Sequence, residues 1–316
     1  MTEFDTACLA TLQWPDPESA RTGPAMHIIS ASRRTDIPAF YAEWFMNRVR
    51  DGRVRWMNPF SKAVYEVSLK PEDVSAIVFW SKNYAPLLPH LDELDQLGHR
   101  MVFHFTITGL PKPFEPRVPD AADMVRCART LADRYGPDAV LWRYDPVLIS
   151  SITSPEYHLQ RFSELCRMLE GAVAGCYFSF AVFYGKVLRN TEALNTETGI
   201  VCYDLPRDDR VETALRMADI AGSHGITMHS CCGDHLVGGP IRKAHCVDAD
   251  LLDRLFPDRI GLLAERPTRE QCGCYESKDI GAYNTCPHGC VYCYANTGKE
   301  AAMRSHANHD PLRDVL

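Results

Sequence analysis

The sequence predicts an α/β fold, a TIM-like barrel that is complete or partial, followed by a cysteine-rich C-terminal region. Six short apolar runs alternate with amphipathic helical patterns, which is typical of a parallel sheet covered by helices. No Gly-x-Gly-x-x-Gly follows the first apolar run, so the signature of dinucleotide-binding sheets is missing and a barrel is favoured. The 316 residues fit one large barrel or two domains of about 150 residues.

The predicted strands are short apolar runs that end in polar residues. They cover residues 27–32, 75–80, 101–107, 139–143, 176–181 and 226–230. Between the first two of these strands, residues 54–58 and 63–69 are expected to form a hairpin or a small excursion.

The predicted helices lie between the strands and cover residues 38–50, 86–97, 121–135, 155–169 and 210–224. Pro38 begins the first of them, because the missing donor of proline is not needed at a helix start. Gly98 and Gly225 end two others, as glycine commonly does. We interpret the long connection 186–204 as a lid or a short helix.

Three segments follow from this pattern. Residues 1–25 contain three prolines and no clear period, and are expected to be a loose N-terminal leader. Residues 26–245 form the α/β barrel, and residues 246–316 form a cysteine-rich, cluster-binding segment packed on the barrel mouth.

The composition, with 46% hydrophobic and 24% charged residues, is ordinary for a globular protein. The net charge of −7 argues against a dedicated non-specific nucleic-acid binder, which usually has a basic excess. No run of about 18 apolar residues and no secretory signal is present, so we expect no membrane association and a cytoplasmic protein.

The 13 cysteines are concentrated near the C-terminus. In a cytosolic protein, disulfides are not expected. Five cysteines are scattered and are interpreted as small apolar side chains: Cys8, Cys127, Cys166, Cys176 and Cys202.

Three other cysteines, Cys286, Cys290 and Cys293, lie in one short stretch, residues 281–296. Their spacing lets three thiolates point at one place, where they can hold three irons of a [4Fe–4S] cluster and leave the fourth iron for another ligand. The alternatives are a zinc site, for which zinc ribbons supply a second cysteine pair, or three unconnected thiols.

The string from Cys286 to Ala295, with an aromatic residue before the third cysteine, resembles the cluster motif of the radical S-adenosylmethionine (SAM) superfamily, especially the branch of spore photoproduct lyase. The chain is identified as a member of a bacterial family of unknown function that carries this string near the C-terminus. Radical SAM enzymes usually carry the motif after the first barrel strand, so a permuted or convergent arrangement is expected here.

The resemblance implies a cofactor, a donor and a class of chemistry. The SAM amino and carboxylate groups would chelate the fourth iron, and an electron donor such as a flavodoxin or ferredoxin would reduce the cluster. A nucleic-acid lesion is then one candidate substrate, in a role such as DNA repair. A basic run, interpreted as either a phosphate contact or a solvated helix end, consists of Arg48, Arg50, Arg53 and Arg55.

A second set of cysteines is expected to hold an auxiliary cluster, to supply the fourth ligand of the first cluster, or to remain plain thiols. This set is Cys232, Cys246, Cys272 and Cys274. Spacing alone does not decide between these outcomes, because ligation depends on the positions of the residues in space.

Polar side chains follow the predicted strands at the carboxyl ends, where barrel enzymes place their active sites. As catalytic residues the sequence indicates Arg34, Asp36, Arg143, Asp145 and His229. As cofactor-binding residues it indicates Ser32, Lys82, Asn83, Tyr292 and Asn296. Each Arg–Asp pair has an alternative interpretation as an ion pair that closes a turn.

Two hypotheses about function remain after this reading. The first is an iron–sulfur enzyme of radical SAM type, or derived from it, that acts on an unknown substrate. The second is a barrel protein whose cysteines hold a structural or electron-transfer metal site without SAM chemistry.

Overall fold

The molecule is organised around one large parallel sheet. The computed structural model describes residues 26–58, 61–257, 259–260 and 263–316. The predicted leader, residues 1–25, lies outside the described residues.

Eight of the described strands form this sheet, in the order β10-β1-β4-β5-β6-β7-β8-β9, and all neighbouring pairs are parallel. The strands are β1 (His27–Ala31), β4 (Val74–Ser81), β5 (Met101–Thr106), β6 (Val140–Val147), β7 (Gly175–Phe180), β8 (Thr227–Ser230), β9 (Ile241–Lys243) and β10 (Lys278–Asp279). No described pairing joins β9 to β10, so these two strands are the edges of the sheet. The predicted parallel α/β architecture is therefore confirmed.

A separate antiparallel hairpin consists of β2 (Arg53–Met57) and β3 (Val64–Ser68), as the sequence predicts. It is inserted between β1 and β4 in the chain.

The helices of the described residues connect the strands. They are α1 (Ile37–Phe40), α2 (Ala42–Arg50), α3 (Leu91–Gln96), α4 (Ala121–Tyr135), α5 (Pro155–Leu169), α6 (Gly185–Thr198), α7 (Arg207–Ser223), α8 (Ala249–Leu255) and α9 (Lys299–Ala307). Short 3₁₀ turns lie at Leu88–His90, Pro137–Ala139 and Asp234–Leu236.

Local chemistry explains several helix ends. Ser154 caps α5 by accepting a hydrogen bond from the Tyr157 amide, and proline occupies the first position of this helix. α4 ends at Gly136, whose φ of 84° suits glycine far better than other residues.

The two faces of the sheet pack against different parts of the chain. One face contributes side chains such as Ile77, Phe103 and Trp142 to the large core beneath the helices. The other face contributes Val78 and Leu141 to a second core, which includes the buried Leu251 and Leu252 of α8 and the segment that precedes it. Full burial of each large apolar side chain stabilises the fold by about 1.5–3 kcal/mol.

Some elements differ from the sequence-based expectation. The predicted helix 38–50 is divided at Tyr41, and the connection 186–204 contains the 14-residue helix α6. The strands β9 and β10 were not predicted, because runs of two or three residues give no periodic signal. In the described part of the chain, no helix combines the length and apolar character needed to cross a bilayer.

Candidate metal and substrate site

The last strand fixes the position of the cysteine loop, which we define as residues 281–296. β10 pairs with β1, and Asp279 of β10 accepts hydrogen bonds from the Ser30 hydroxyl (2.9 Å) and the Ser32 hydroxyl (2.7 Å). The same carboxylate accepts from the Arg33 and Gly281 amides, at 2.8 and 3.1 Å. The loop therefore starts at the carboxyl ends of the parallel strands, an edge that we call the mouth.

The cysteine loop is also held from its far side by backbone contacts. The Tyr41 hydroxyl donates to the Thr285 carbonyl at 2.5 Å, and the Arg117 guanidinium donates to the Pro287 carbonyl at 2.9 Å. The Asn190 side chain of α6 donates to the Val291 carbonyl at 3.0 Å. The loop thus contacts segments that follow three different strands.

Asp36 joins the loop to the sheet through a buried hydrogen-bond network. Its carboxylate accepts from the Ala39 amide (3.0 Å), the Ser81 hydroxyl (2.6 Å) and the Lys82 amide (2.8 Å). The fourth contact is with Nε2 of His288, at 2.8 Å. Asp36 is predicted to be catalytic, but its carboxylate uses these four hydrogen bonds to hold the cysteine loop against the sheet.

The three loop cysteines lie together in a largely buried environment. Cys290 is buried, and Cys286 and Cys293 are partly exposed. Burial, followed by the charge of Asp36, raises the pKa of Cys286 well above its usual range. Burial is also the main cause that raises the pKa of Cys290 to about 12. A thiolate at this place therefore needs a nearby cation, which is the condition that a metal satisfies.

A charged group lies directly beside Cys290. The Lys82 ammonium contacts Glu115 at 2.8 Å, and Glu115 also accepts from the Thr108 hydroxyl at 2.8 Å and from the Tyr292 hydroxyl. Burial alone would raise the pKa of Glu115, but Lys82 and these donors lower it below its usual value. Lys82 also lowers the pKa of Cys290. Lys82 and Tyr292, predicted as cofactor-binding, thus meet at the loop, and Glu115 is a partner that the sequence analysis missed.

The second cysteine group, which we define as Cys231, Cys232, Cys246, Cys272 and Cys274, lies at the end of β8 and in the segments that follow it. The Cys231 and Cys246 sulfurs are 3.5 Å apart. Hydrogen bonds with neighbouring thiols lower the pKa of Cys231 and of Cys272, and the charges of Arg143 and Arg269 act in the same direction at Cys231. The structure thus adds Cys231 to the four members of the predicted second set.

Charged and aromatic side chains lie together at the mouth near the second cysteine group. The Trp80 ring is within reach of two guanidinium groups, with Arg33 at 5.0 Å and Arg143 at 5.2 Å from its ring centroid. Arg143 pairs with Asp145, which also accepts from the Ser179 hydroxyl. Arg143 and Asp145, both predicted as catalytic, are therefore together at this place.

Other predicted residues have structural partners. Arg34 lies 3.9 Å from Asp279, so the predicted Arg34–Asp36 pair does not form. Ser32 and Asn83 accept hydrogen bonds from the Arg34 amide (2.9 Å) and the Ala85 amide (3.1 Å), as turn-forming side chains do.

Asn296 and His229 have different surroundings. The Asn296 amide donates to the Cys286 carbonyl at 2.7 Å, so it fixes the shape of the cysteine loop. The His229 ring stacks on Tyr177 with centroids 4.8 Å apart, and burial lowers its pKa. The ring contact of His229 is therefore with an aromatic side chain of β7 and not with a cysteine.

The basic run is neutralised by acidic side chains. Arg48 contacts Asp51 and Asp314, Arg55 also lies within 3.9 Å of Asp314, Arg50 contacts Glu93, and Arg53 contacts Glu66. The four arginines are therefore engaged in ion pairs within the protein. This agrees with their interpretation as a structural feature of the helix end rather than as a phosphate contact.

No group of three or more His, Cys, Asp or Glu side chains in the described ranges is arranged around a single metal ion. A cluster differs from a single ion, because its width separates the thiolates that hold it. The loop therefore supplies three thiol donors within eight residues, one of them buried, without the geometry of a mononuclear site.

One family model, described as a domain of unknown function (DUF1848), matches residues 28–295, from β1 to beyond the third loop cysteine. The chain belongs to the DUF1848 family. No curated protein and no solved structure matches it. In this DUF1848 chain the matched range contains every predicted catalytic and metal-binding residue.

Proposed function

We propose that this DUF1848 protein is an iron–sulfur enzyme of radical SAM type, or derived from it, with a [4Fe–4S] cluster on Cys286, Cys290 and Cys293. A cluster with three protein ligands leaves one iron for SAM, as the resemblance implies. When bound, such a cluster supplies one electron to SAM and so starts radical chemistry.

The observation that carries the proposal is the place of β10 in the sheet. Radical SAM enzymes usually carry the motif after the first barrel strand, whereas here the motif comes last in the chain. β10 nevertheless lies at the edge beside β1, parallel to it, and the cysteine loop follows β10 directly. β10 is thus the first strand of the sheet when the strands are counted in space from this edge, and the cysteine loop follows it. This supports a permuted version of the radical SAM arrangement, in which the motif follows the first strand.

The residues around the loop fit such a cofactor. The three thiols influence one another's pKa, and the surrounding segments bury Cys290 and partly bury Cys286 and Cys293. Lys82 supplies a positive charge beside Cys290. Asn296 holds the loop backbone by donating to the Cys286 carbonyl, and Asp36 holds the loop through His288. These two contacts restrict the positions of the sulfurs.

The mouth also suits a ligand with negative charge. Lys82 lies near the cysteine loop, and Arg33 lies beside Trp80 with one guanidinium nitrogen that is buried and lacks a hydrogen-bond partner. Basic side chains of this kind bind carboxylate or phosphate groups well. We therefore include Arg33 in the proposed binding surface for the SAM carboxylate or an anionic substrate, whereas Lys82 and Arg143 are already paired with Glu115 and Asp145.

We also propose that the sheet is curved into a partial barrel. The segment after β9 lies against the inner face of the sheet, where the Cys246 carbonyl is 2.6 Å from Nε2 of His104 in β5. This contact across several strands supports a partial barrel whose interior is filled by α8 and the cysteine-rich segments. A reducing compartment such as the cytoplasm suits the protein, because the twelve described cysteines are free thiols.

The test is anaerobic purification and reconstitution, followed by iron and sulfide counts, electron paramagnetic resonance with and without SAM, and SAM cleavage under reductant. Cys290→Ser is expected to abolish the cleavage and the spectral change caused by SAM. The control Cys202→Ser, at a half-exposed cysteine outside both groups, is expected to leave both unchanged. Iron without SAM turnover, or zinc in place of iron, would instead support the structural or electron-transfer alternative.

A further inference from the structure

The second cysteine group gathers five sulfurs from three separate segments of the chain. Cys231 and Cys232 follow β8, Cys246 follows β9, and Cys272 and Cys274 precede β10. These segments meet at the inner face of the sheet, where Cys231, Cys246 and Cys274 are buried in one core cluster.

The five thiols are near enough to influence one another's pKa. Cys231 is coupled to Cys232 and Cys246, Cys274 to Cys246 and Cys272, and Cys272 to Cys232. The measured pair, Cys231 and Cys246, is 3.5 Å apart between sulfurs. Thiolates around one zinc ion at about 2.3 Å are about 3.8 Å apart, so the spacing of this pair is close to that of two ligands of one metal. The described cysteines are not otherwise arranged around a single ion, so the remaining sulfurs must move for a metal to bind.

Cys232 adopts a backbone conformation that residues other than glycine rarely adopt. Its φ is 54°, directly after the extended strand β8. Cys232 lies two residues beyond the last strand residue, Ser230, so the chain turns here as it leaves the sheet. Strained conformations of this kind persist where the surrounding structure requires them, often at functional sites.

Arginines surround the sulfurs as donors. Arg269 donates to Cys232 at 2.9 Å and to Cys231 at 3.4 Å, and Arg143 donates to Cys246 at 3.2 Å. Hydrogen bonds to the sulfurs and burial are two of the factors by which proteins set the reduction potentials of iron–sulfur clusters.

The arginines near the second cysteine group carry positive charges that a negatively charged metal centre would balance. Arg143 is paired with Asp145, whereas neither Arg33 nor Arg269 has an ion-pair partner among the described residues. Arg33 lies close enough to influence Cys274. Four thiolates around a divalent ion or a [4Fe–4S]²⁺ core carry a net charge of −2, which the Arg269 guanidinium would partly offset.

We infer that the second cysteine group is a second metal centre, separate from the cysteine loop, in which Cys246, Cys272, Cys274 and one of the pair Cys231 and Cys232 bind a thiophilic metal. Binding requires the sulfurs to move toward one point and to bond to the metal. A [4Fe–4S] cluster and Zn²⁺ share this ligand chemistry. Arg269 is a positioning residue that donates to the thiolates.

The experiment separates this centre from the proposed radical SAM site. The first protein carries Cys286→Ser, Cys290→Ser and Cys293→Ser together and is purified anaerobically as the full chain. We expect it to retain bound metal, with a thiolate-to-metal charge-transfer absorption for iron and none for zinc. Retention of about four irons and four sulfides identifies the cluster, and retention of about one zinc identifies a zinc site.

The second protein adds Cys246→Ser and Cys274→Ser to the first, and the bound metal is expected to fall to background. Its control adds Cys127→Ser, at a cysteine on α4 far along the chain from the second cysteine group, and is expected to retain the metal. Circular dichroism verifies that each variant is folded.

Two results would overturn the inference. One is a folded triple variant that binds no metal after reconstitution with iron and sulfide or with zinc. The other is a metal content that Cys246→Ser and Cys274→Ser leave unchanged. Failure of SAM cleavage in the intact chain would count against the radical SAM proposal alone, since the metal content of the triple variant does not depend on it.

Discussion

At the scale of single residues, the buried His158 is hydrogen-bonded in a way that fixes its protonation. Its Nε2 contacts the Leu148 carbonyl at 2.9 Å and its Nδ1 contacts the Tyr144 hydroxyl at 2.8 Å. A carbonyl only accepts, so Nε2 carries the hydrogen and Nδ1 accepts from Tyr144. The neutral ring is therefore fully satisfied.

This arrangement predicts a pH dependence of stability. Burial lowers the pKa of His158 to about 4 from an ordinary value near 6.5. Between these values the unfolded chain binds a proton that the folded chain does not, so the free energy of unfolding falls as the pH decreases. From pH 7.5 to pH 5 the contribution of His158 is a loss of about 2 kcal/mol.

His158→Gln removes this contribution while keeping a donor and an acceptor at the same place. Urea denaturation at both pH values is expected to show a smaller difference for the variant than for the natural chain, by about 2 kcal/mol. His99, whose pKa burial also lowers to about 4, continues to contribute in both proteins. An equal pH dependence in the two proteins would refute the assignment of the proton to the unfolded state.

At the scale of elements, the short strand β10 matters more than its length suggests. Its two residues pair with Ile29 and Ser30, and Asp279 receives four hydrogen bonds from the residues around it. The next residues form the cysteine loop, so the position of the three sulfurs depends on how β10 sits against β1. Gly281, at the start of the loop, is packed directly on Ser32.

Gly281→Ala tests this packing. A Cβ at this position would lie 2.1 Å from the Ser32 hydroxyl oxygen and 2.6 Å from the Ser32 Cβ, and the hydroxyl is held by Asp279. We expect a loss of about 1–3 kcal/mol in the free energy of unfolding and a lower iron content.

The matched control is Gly298→Ala, where the nearest atom, a carboxylate oxygen of Glu300, is 3.6 Å away. Thermal unfolding and iron counts are expected to be unchanged in this variant. Addition of Ser32→Gly to Gly281→Ala should restore part of the loss, because it removes both clashing atoms. If Gly281→Ala behaved like Gly298→Ala, the close contact would not position the loop.

At the scale of the whole molecule, the C-terminal segments pack against the first described elements of the chain. β10 pairs with β1, and the C-terminal tail, residues 310–316, lies along α2 and β2. Trp44 donates to the Arg313 carbonyl at 2.8 Å, and the buried Arg48 donates to Asp314 at 2.9 Å. The first and last parts of the described chain therefore support each other.

Removal of residues 310–316 is expected to destabilise the protein by about 3 kcal/mol, because several hydrogen bonds are lost and Arg48 keeps only one of its two acidic partners, Asp51. Denaturant midpoints measure the change. Disruption of the exposed pair Arg53–Glu66, by Arg53→Ala, serves as the comparison and should cost less than about 1 kcal/mol. A tail deletion no more costly than this surface variant would show that the tail does not stabilise the fold.

The sequence by itself determined the repeating α/β pattern and the three loop cysteines, because apolar periodicity and close cysteine spacing are local properties that the chain states directly. α4 and α5 begin and end at the predicted residues for that reason. Only the tertiary structure decided where the cysteine loop lies, since the pairing of β10 with β1 joins residues about 250 positions apart. Only the tertiary structure showed that Glu115 lies beside Lys82 and that Arg269 lies beside Cys232. Contacts between side chains of distant segments depend on how the whole sheet folds, and no pattern within a single segment encodes them.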